Sequence, residues 1–515
     1  MRKKRLAKNT VSSIVLQVVT VICGFIVPRL ILAHYGSEVN GLVNSVAQFL
    51  GVISFLELGL GAVVQSALYR PLAERDDAAV SRIIRSAGRF FRRLAFILLA
   101  YVAALIALYP MLSGGGFDAV YTALLIAAMC VSTFAQYYFG IVDQLLLTAD
   151  QRGYIQCNAQ TATLIANTIA CAVLIRLNAS IQLVKLTTSL IFLLRPIFLR
   201  AYVERHYRID RKIKYEGEPI PQKWNGVAQH VSAVILKGTD TIVLTAFATL
   251  EDVSIYAVYN LVTTGVDQLF TAGIRGAHAL LGELWARQER KELLETFSWV
   301  EWVMHTAVTF VFVCAGLLIV PFVSVYTRNV TDANYIQPLF GVLLVTAFAG
   351  HCFRLPYNGM ILAAGHYRQT QRCYIIAAAM NIIVSVAAVS RWGLVGVTVG
   401  TLLAMAYQTV WMAAYVSGHL LDRPLRPFFL HVAVDVITTS AATAIFMALR
   451  PGMASPDYAS WILLALKTVG IVAAASLVVN ALFFPRRLLR LFNILTGRKP
   501  PRHLHVYEPQ HLRKR

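Results

Sequence analysis

The sequence predicts an all-α polytopic membrane protein of about fourteen transmembrane helices. They form two parallel six-helix lobes around a central cavity, plus a C-terminal helix pair. Three observations carry this: recurring long apolar runs, a one-sided distribution of Lys and Arg, and a pattern that returns after about 215 residues. Only 14% of the 515 residues are charged and 57% are hydrophobic, whereas about a quarter of a soluble domain is charged. Apolar runs of roughly 20 residues are the signature of membrane-crossing helices.

Taken in order, MRKKRLAK precedes an apolar run from Val11 to Ala33 that has no small-x-small cleavage site after it. It reads as a retained first helix rather than a signal peptide. Further spans follow near residues 41–69, 94–112, 118–148, 154–176 and 180–201, then a charged break, then 226–249, 253–283, 299–326, 333–364, 369–391 and 393–418. A last pair lies near 428–449 and 459–484. The corresponding division is a first lobe at 1–202, a basic linker at 203–224, a second lobe at 225–420, the added pair at 421–484 and a basic tail at 485–515.

With the N-terminus inside, alternate loops collect about 36 of the 47 basic residues, and the opposite turns hold four: Arg176, Arg328, Arg391 and Arg450. That asymmetry places both termini in the cytosol. It also makes anionic membrane lipid, not nucleic acid, the partner for the net charge of +21. The segment SRIIRSAGRFFRRL spaces its arginines as an amphipathic interfacial helix does, and the end of the tail reads as disordered.

The halves repeat. Gly61 matches Gly276, Glu74 matches Glu289, Asp118 matches Asp332, Arg152 matches Arg368, Asn167 matches Asn381 and Arg176 matches Arg391, all at offsets of 214 to 216. An even number of spans per half gives both the same orientation, hence parallel repeats about an axis along the membrane normal. The chain has no GxxxxGK[ST] loop and no HExxH, so energy has to come from gradients, membrane potential or the substrate. Its outer loops are short, which argues against an enzyme on the outer face. The seven cysteines show no metal-ligand spacing and read as small packing residues; no metal or cofactor is expected beyond a coupling H+ or Na+.

The stretch YGSEVNGLVNSVAQFLGVISFLELGLGAVVQSALYRPLAERD resembles the early region of bacterial polysaccharide flippases. These belong to the multidrug/oligosaccharidyl-lipid/polysaccharide exporter superfamily. The match is carried by Gly36–Gly41, Glu57–Gly61 and Ala67–Ala73 closing on Asp76, and it is nearer to the O-antigen and teichoic-acid branch than to drug antiporters. The resemblance implies a transporter in the bacterial plasma membrane that alternates between inward and outward openings. Its cargo would be an undecaprenyl-diphosphate-linked oligosaccharide received in a cationic cavity, with a polysaccharide polymerase or glycosyltransferases as partners. A cation-coupled small-molecule or multidrug antiporter fits the same architecture. A membrane-embedded glycosyltransferase or ligase would want long outer loops with paired carboxylates, and those are missing.

Charges at membrane depth face a cavity or a partner. Four basic residues are candidates for the cavity: Arg29 beside Pro28, Lys237, Arg275 and Arg354. An arginine fork suits a diphosphate by donating parallel hydrogen bonds. Glu57, Asp240 and Asp267 are the candidate carboxylates for a coupling ion or proton. Structural alternatives stand beside each: Lys237 pairs with Asp240 three residues on, Arg29, Arg275 and Arg354 snorkel to an interface, and Glu57 and Asp267 pair with a basic neighbour. Asp143 and Lys185 fall nearer the span ends, in reach of interfacial water. His278, His305 and His351 are either proton relays or hydrogen-bonded bundle residues.

Overall fold

The computed structural model describes residues 2–52, 54–112, 116–214, 217, 220, 238–453 and 455–496, and of residues 2–4, 6, 7, 54–60, 62 and 495 the backbone alone. Among the described residues every regular element is helical. They are α1 (Arg2–Gly51), α2 (Ser54–Glu74), α3 (Asp77–Leu112), α4 (Ala119–Ala149), α5 (Gly153–Arg176), α6 (Ile181–His206) and α7 (238–247). Next come α8 (Leu250–Gly273), α9 (Arg275–Ala286), α10 (Arg290–Tyr326), α11 (Pro338–Ala363), α12 (Tyr367–Leu420), α13 (Arg426–Leu449), α14 (Tyr458–Phe483) and the short α15 (Pro485–Leu495).

Ten of these helices are long and apolar enough to cross a membrane. Two of the ten, α1 and α12, each hold two helical segments, because Gly36 (φ 83°, ψ 180°) and Gly393 (φ 48°, ψ −125°) break the helical path. Only glycine enters such backbone without strain. Split at these glycines, with α1 running on into α2 and α8 into α9, the described helices trace the fourteen segments in series that the apolar runs predict. Two expected spans, 41–69 and 253–283, are each a broken pair of helices. Residues 226–237 of the seventh span, and 497–515 of the tail, lie outside the described residues.

The arginine-rich segment 81–94 is not a separate interfacial helix. It is the first part of α3, capped where Asp76 Oδ1 accepts from the Ala79 N–H at 2.8 Å. Along α3 the buried positions Ile83, Ile84, Ala87, Phe91, Leu94, Leu98, Val102, Leu105 and Tyr109 recur at three and four residues on one face. At 1.5 Å per residue its 36 residues run about 54 Å, well beyond the ~30 Å hydrocarbon slab.

The chain divides into two compact units. The first holds residues 1–261, 329–335 and 378–400. Its core joins Leu42 and Val46 of α1, Phe91 and Leu98 of α3, Leu146 of α4 and Leu199 of α6. The backbone approach is tightest at Gly41, where a Cβ would overlap the Leu250 carbonyl. Gly41→Ala is therefore expected to lower the thermal midpoint by several degrees, while Gly88→Ala, with open space around it, holds or raises it through helix propensity. Thermal unfolding in one detergent checks both.

The segment after α6, expected as a basic linker, is bound to the first unit where it is described. Tyr207 donates to Asp150 Oδ2 at 2.6 Å, and burial together with that carboxylate pushes its phenol pKa up. The Asp210 N–H meets Ser81 Oγ at 3.1 Å, and Arg85 donates to the carbonyls of Lys212 and Ile213. Arg211 reaches Asp143 at 2.8 Å, whose side chain is fully buried. Asp143, expected within reach of interfacial water, is thus buried with one oxygen paired to a linker arginine.

The second unit holds residues 262–328, 336–377 and 401–515. One of its cores gathers Leu281, Phe297, Tyr357, Met360, Met412 and Phe428. Another packs Val313 and Leu318 of α10 against Leu464 and Val472 of α14. Left-handed residues end helices in both halves of the chain at matching places. Arg75 and Gln288, Gln151 and Gly365, and Asn178 and Gly393 are separated by 213, 214 and 215 residues.

Candidate functional site

Three polar clusters join side chains of these helices to one another and to the segments between them. The first lies in the first unit, at the Gly36 turn. The residues after Gly36 start a helical segment whose first N–H groups lack intrahelical acceptors. Asp332, far along the chain, supplies the acceptor. Its Oδ2 accepts from the Ser37 N–H at 2.6 Å and its Oδ1 from Ser37 Oγ at 2.7 Å. The Tyr335 hydroxyl lies 2.8 Å from Ser37 Oγ and 2.7 Å from Ser254 Oγ. Asn40 donates to Ser254 at 2.7 Å, and Tyr259 to the Tyr335 carbonyl at 2.9 Å. Burial pushes the Tyr335 phenol pKa up. The repeat explains what is unusual. Asp118 caps its own helix α4 through Val120 and Tyr121, whereas its counterpart Asp332 is spent on the other half of the chain.

The second cluster, in the second unit, joins two of the sequence candidates. Asp267 of α8 and Arg354 of α11 are both buried, and His351 stands between them. Its Nε2 is 3.2 Å from Asp267 Oδ1 and its Nδ1 is 2.6 Å from Arg354 Nη2. Cys352 Sγ is 3.6 Å from the same Asp267 oxygen, and Arg354 Nη1 is 3.6 Å from Met405 Sδ.

In the third cluster, also in the second unit, the sequence singled out His305 but not Glu301, Arg423 or Asp435. Glu301 is fully buried on α10 and accepts from Arg423 through both oxygens at 2.8 and 2.5 Å, and from Tyr357 at 2.5 Å. The Arg423 guanidinium also stacks 4.8 Å from the Phe297 ring centroid. One helical turn on, His305 meets Asp435 of α13 at 2.5 Å, Thr309 donates to the same carboxylate at 2.7 Å, and Trp302 donates to Asn480 of α14 at 3.0 Å. Glu301 and Asp435 are lone carboxylates in apolar runs, the signal that singled out Glu57 and Asp267.

The remaining candidates fall as follows. Arg29 is half-buried on α1. Arg275 is exposed at the start of α9. Asp240 is buried on α7 and accepts from Tyr256 at 2.9 Å. Lys237 and the Glu57 side chain lie outside the described residues. Lys185 is half-buried near Cys171. His278 contacts the Leu355 carbonyl at 3.0 Å, so it and His305 are hydrogen-bonded within the bundle. A further cation missed in the sequence is Arg195, inside the apolar run of α6. It donates to Gln136 at 3.0 Å, and Gln136 to Gln144 at 3.0 Å. This network spans the π-helical turn Gln136–Gly140 of α4; such turns concentrate at functional sites. Among the described residues no cluster of three or more His, Cys, Asp or Glu could hold a metal ion.

This is a polytopic all-α membrane protein with buried charge clusters in both units. More particularly, its fold is similar to that of solved transporters, two of them described as members of the MOP superfamily. Lipid II flippase MurJ in an inward closed conformation matches with a TM-score of 0.71 at 12% identity, covering 94% of this chain and 99% of that one. An inward-facing multidrug resistance transporter of the MATE family matches at 0.65 and 15% identity, over 78% of this chain and 95% of that one. A MOP superfamily transporter from Pyrococcus furiosus gives 0.61 and 14% over 82% and 97%. At such identities the likeness is one of fold. No protein-family model matches the chain, and no curated protein matches it in sequence.

Proposed function

We infer that the protein is a lipid-linked oligosaccharide flippase. It moves an undecaprenyl-diphosphate-linked glycan from the cytosolic to the outer leaflet by alternating access of two six-helix lobes, in the service of cell-surface polysaccharide synthesis. The observation that carries this reading is the extent of the likeness: the lipid II flippase spans 94% of the chain, the two multidrug-type folds 78% and 82%. The recurrence of left-handed helix ends at 213–215 residues supports the repeat. In this reading both termini are cytosolic, the Gly36 turn lies at the outer face, and the protein is a carrier, not an enzyme. An anionic diphosphate crossing a low-dielectric slab needs fixed positive charge to replace its hydration. Arg29, Lys237, Arg275 and Arg354 are the proposed cationic lining; Glu57, Asp240 and Asp267 are the proposed carboxylates for a coupling H+ or Na+.

The test is flipping in proteoliposomes loaded with undecaprenyl-diphosphate oligosaccharide, followed by lectin access to the far leaflet. Wild type is expected to flip, and Arg29→Ala, Lys237→Ala and Arg275→Ala to lose at least tenfold in rate while staying folded. Exchange of a small solute for protons or sodium, with no lipid movement, would instead make the chain an antiporter.

A further inference from the structure

We propose that His351 is a proton-operated lock on Arg354. Two contacts fix which nitrogen of the His351 ring carries hydrogen. A guanidinium only donates, so Arg354 Nη2 at 2.6 Å requires His351 Nδ1 to accept. A neutral imidazole with Nδ1 accepting carries its hydrogen on Nε2, and that nitrogen faces Asp267 Oδ1 at 3.2 Å. The contacts therefore specify a neutral ring that donates to the carboxylate and holds the guanidinium. A proton arriving at Nδ1 would set an N–H against the N–H of Arg354, donor against donor and charge against charge. The hydrogen bond then breaks while Nε2–H stays on Asp267. One proton taken up from water on the ring thus frees one buried guanidinium.

Groups around the lock do not offer the arginine an equivalent partner among the described residues. From α8 comes Asp267, already engaged by the ring. From α9, His278 is on the Leu355 carbonyl and Arg275 is exposed. From α10, Glu301 is held by Arg423, and His305 by Asp435. From α12, Cys373 and Tyr374 lie near enough to feel the Arg354 charge, with Tyr374 donating to Asn358 at 2.7 Å. The freed fork suits a diphosphate oxygen pair. This inference rests on the flippase reading for its cargo, but the lock itself does not.

The test uses the full chain in detergent with inorganic pyrophosphate as the probe, titrated at pH 7.5 and pH 5.5. Acid removes charge from pyrophosphate, so a passive cationic site binds it more weakly at low pH. The lock reverses this: wild type is expected to bind roughly tenfold to a hundredfold tighter at pH 5.5, the range set by one hydrogen bond to a charged group. His351→Ala should bind tightly already at pH 7.5 and lose the acid enhancement. His351→Asn, which keeps a side-chain oxygen for Arg354 to donate to, should stay weak at both. Nitrogen-15 imidazole spectra of wild type at pH 7.5 should report His351 as the Nε2–H form, which needs no variant to fold. An Nδ1–H ring, or an acid enhancement that persists in His351→Ala, would overturn the proposal. If the pH pattern holds but no lipid flips, the lock stands and the cargo reading falls.

Discussion

Arg423→Ala is expected to be among the most damaging single substitutions in the protein, destabilising it by about 3–5 kcal/mol. The side chains of the pair it breaks are 9% and 0% exposed. A buried ion pair of this kind adds little net stability against an apolar replacement, because both ions are taken out of water. Removing one partner is a different matter: Glu301 would keep its charge with, among the described residues, the Tyr357 hydroxyl as its hydrogen-bond donor. The companion predictions follow from this asymmetry. Glu301→Gln placed on Arg423→Ala should recover more than half of the loss, since it takes away the stranded charge. Tyr357→Phe alone should cost about 1.5–3 kcal/mol, the worth of a hydrogen bond to a charged group. Thermal midpoints of the three variants in one detergent decide it. A double variant no more stable than Arg423→Ala would mean that lost packing against Phe297, not the stranded carboxylate, sets the cost.

The same residues show how far a sequence can be read. The helical segments and their order were legible because the length of a span is set by the bilayer, and apolar runs report it directly. Breaks inside spans were not, since 41–69 and 253–283 remain apolar across them. Asp267 and Arg354 were legible as charges in apolar runs, yet the residue that joins them, His351, was not tied to them. Which face a side chain takes depends on three helices meeting, and no local pattern encodes that. Glu301 and Asp435 carried the same signal as Asp267 and were overlooked. Asp143 illustrates the opposite error. Its place near a span end suggested water, but the partner is Arg211, which lies 68 residues away in a segment whose composition reads as a basic linker. Asp332 was visible only as the repeat partner of Asp118, and the repeat predicts a helix cap there. Its actual use, on Ser37, is where the two halves have diverged.

That divergence leads to the second large effect. Asp332→Ala is expected to weaken closure at the Gly36 turn by removing both carboxylate hydrogen bonds to Ser37 at once. Hydrogen bonds to a charged group are worth about 1.5–3 kcal/mol each, and the carboxylate also sits at the positive end of the helical segment that begins there. A tenfold shift needs only about 1.4 kcal/mol, so the open population should rise at least tenfold. The readout is labelling of Leu42→Cys, a fully buried position beneath the turn, by a membrane-impermeant thiol reagent in a background without the seven native cysteines. Labelling should accelerate at least tenfold in Asp332→Ala and by an intermediate factor in Asp332→Asn, which keeps one acceptor and loses the charge. Unchanged labelling together with a lower thermal midpoint would make the contact a structural cap only. Faster labelling with slower lipid flipping would mean that the carboxylate holds one end shut while cargo enters at the other. If the chain is the carrier proposed above, such a contact has to be strong enough to close and weak enough to break in each cycle, which two hydrogen bonds on a single side chain would allow.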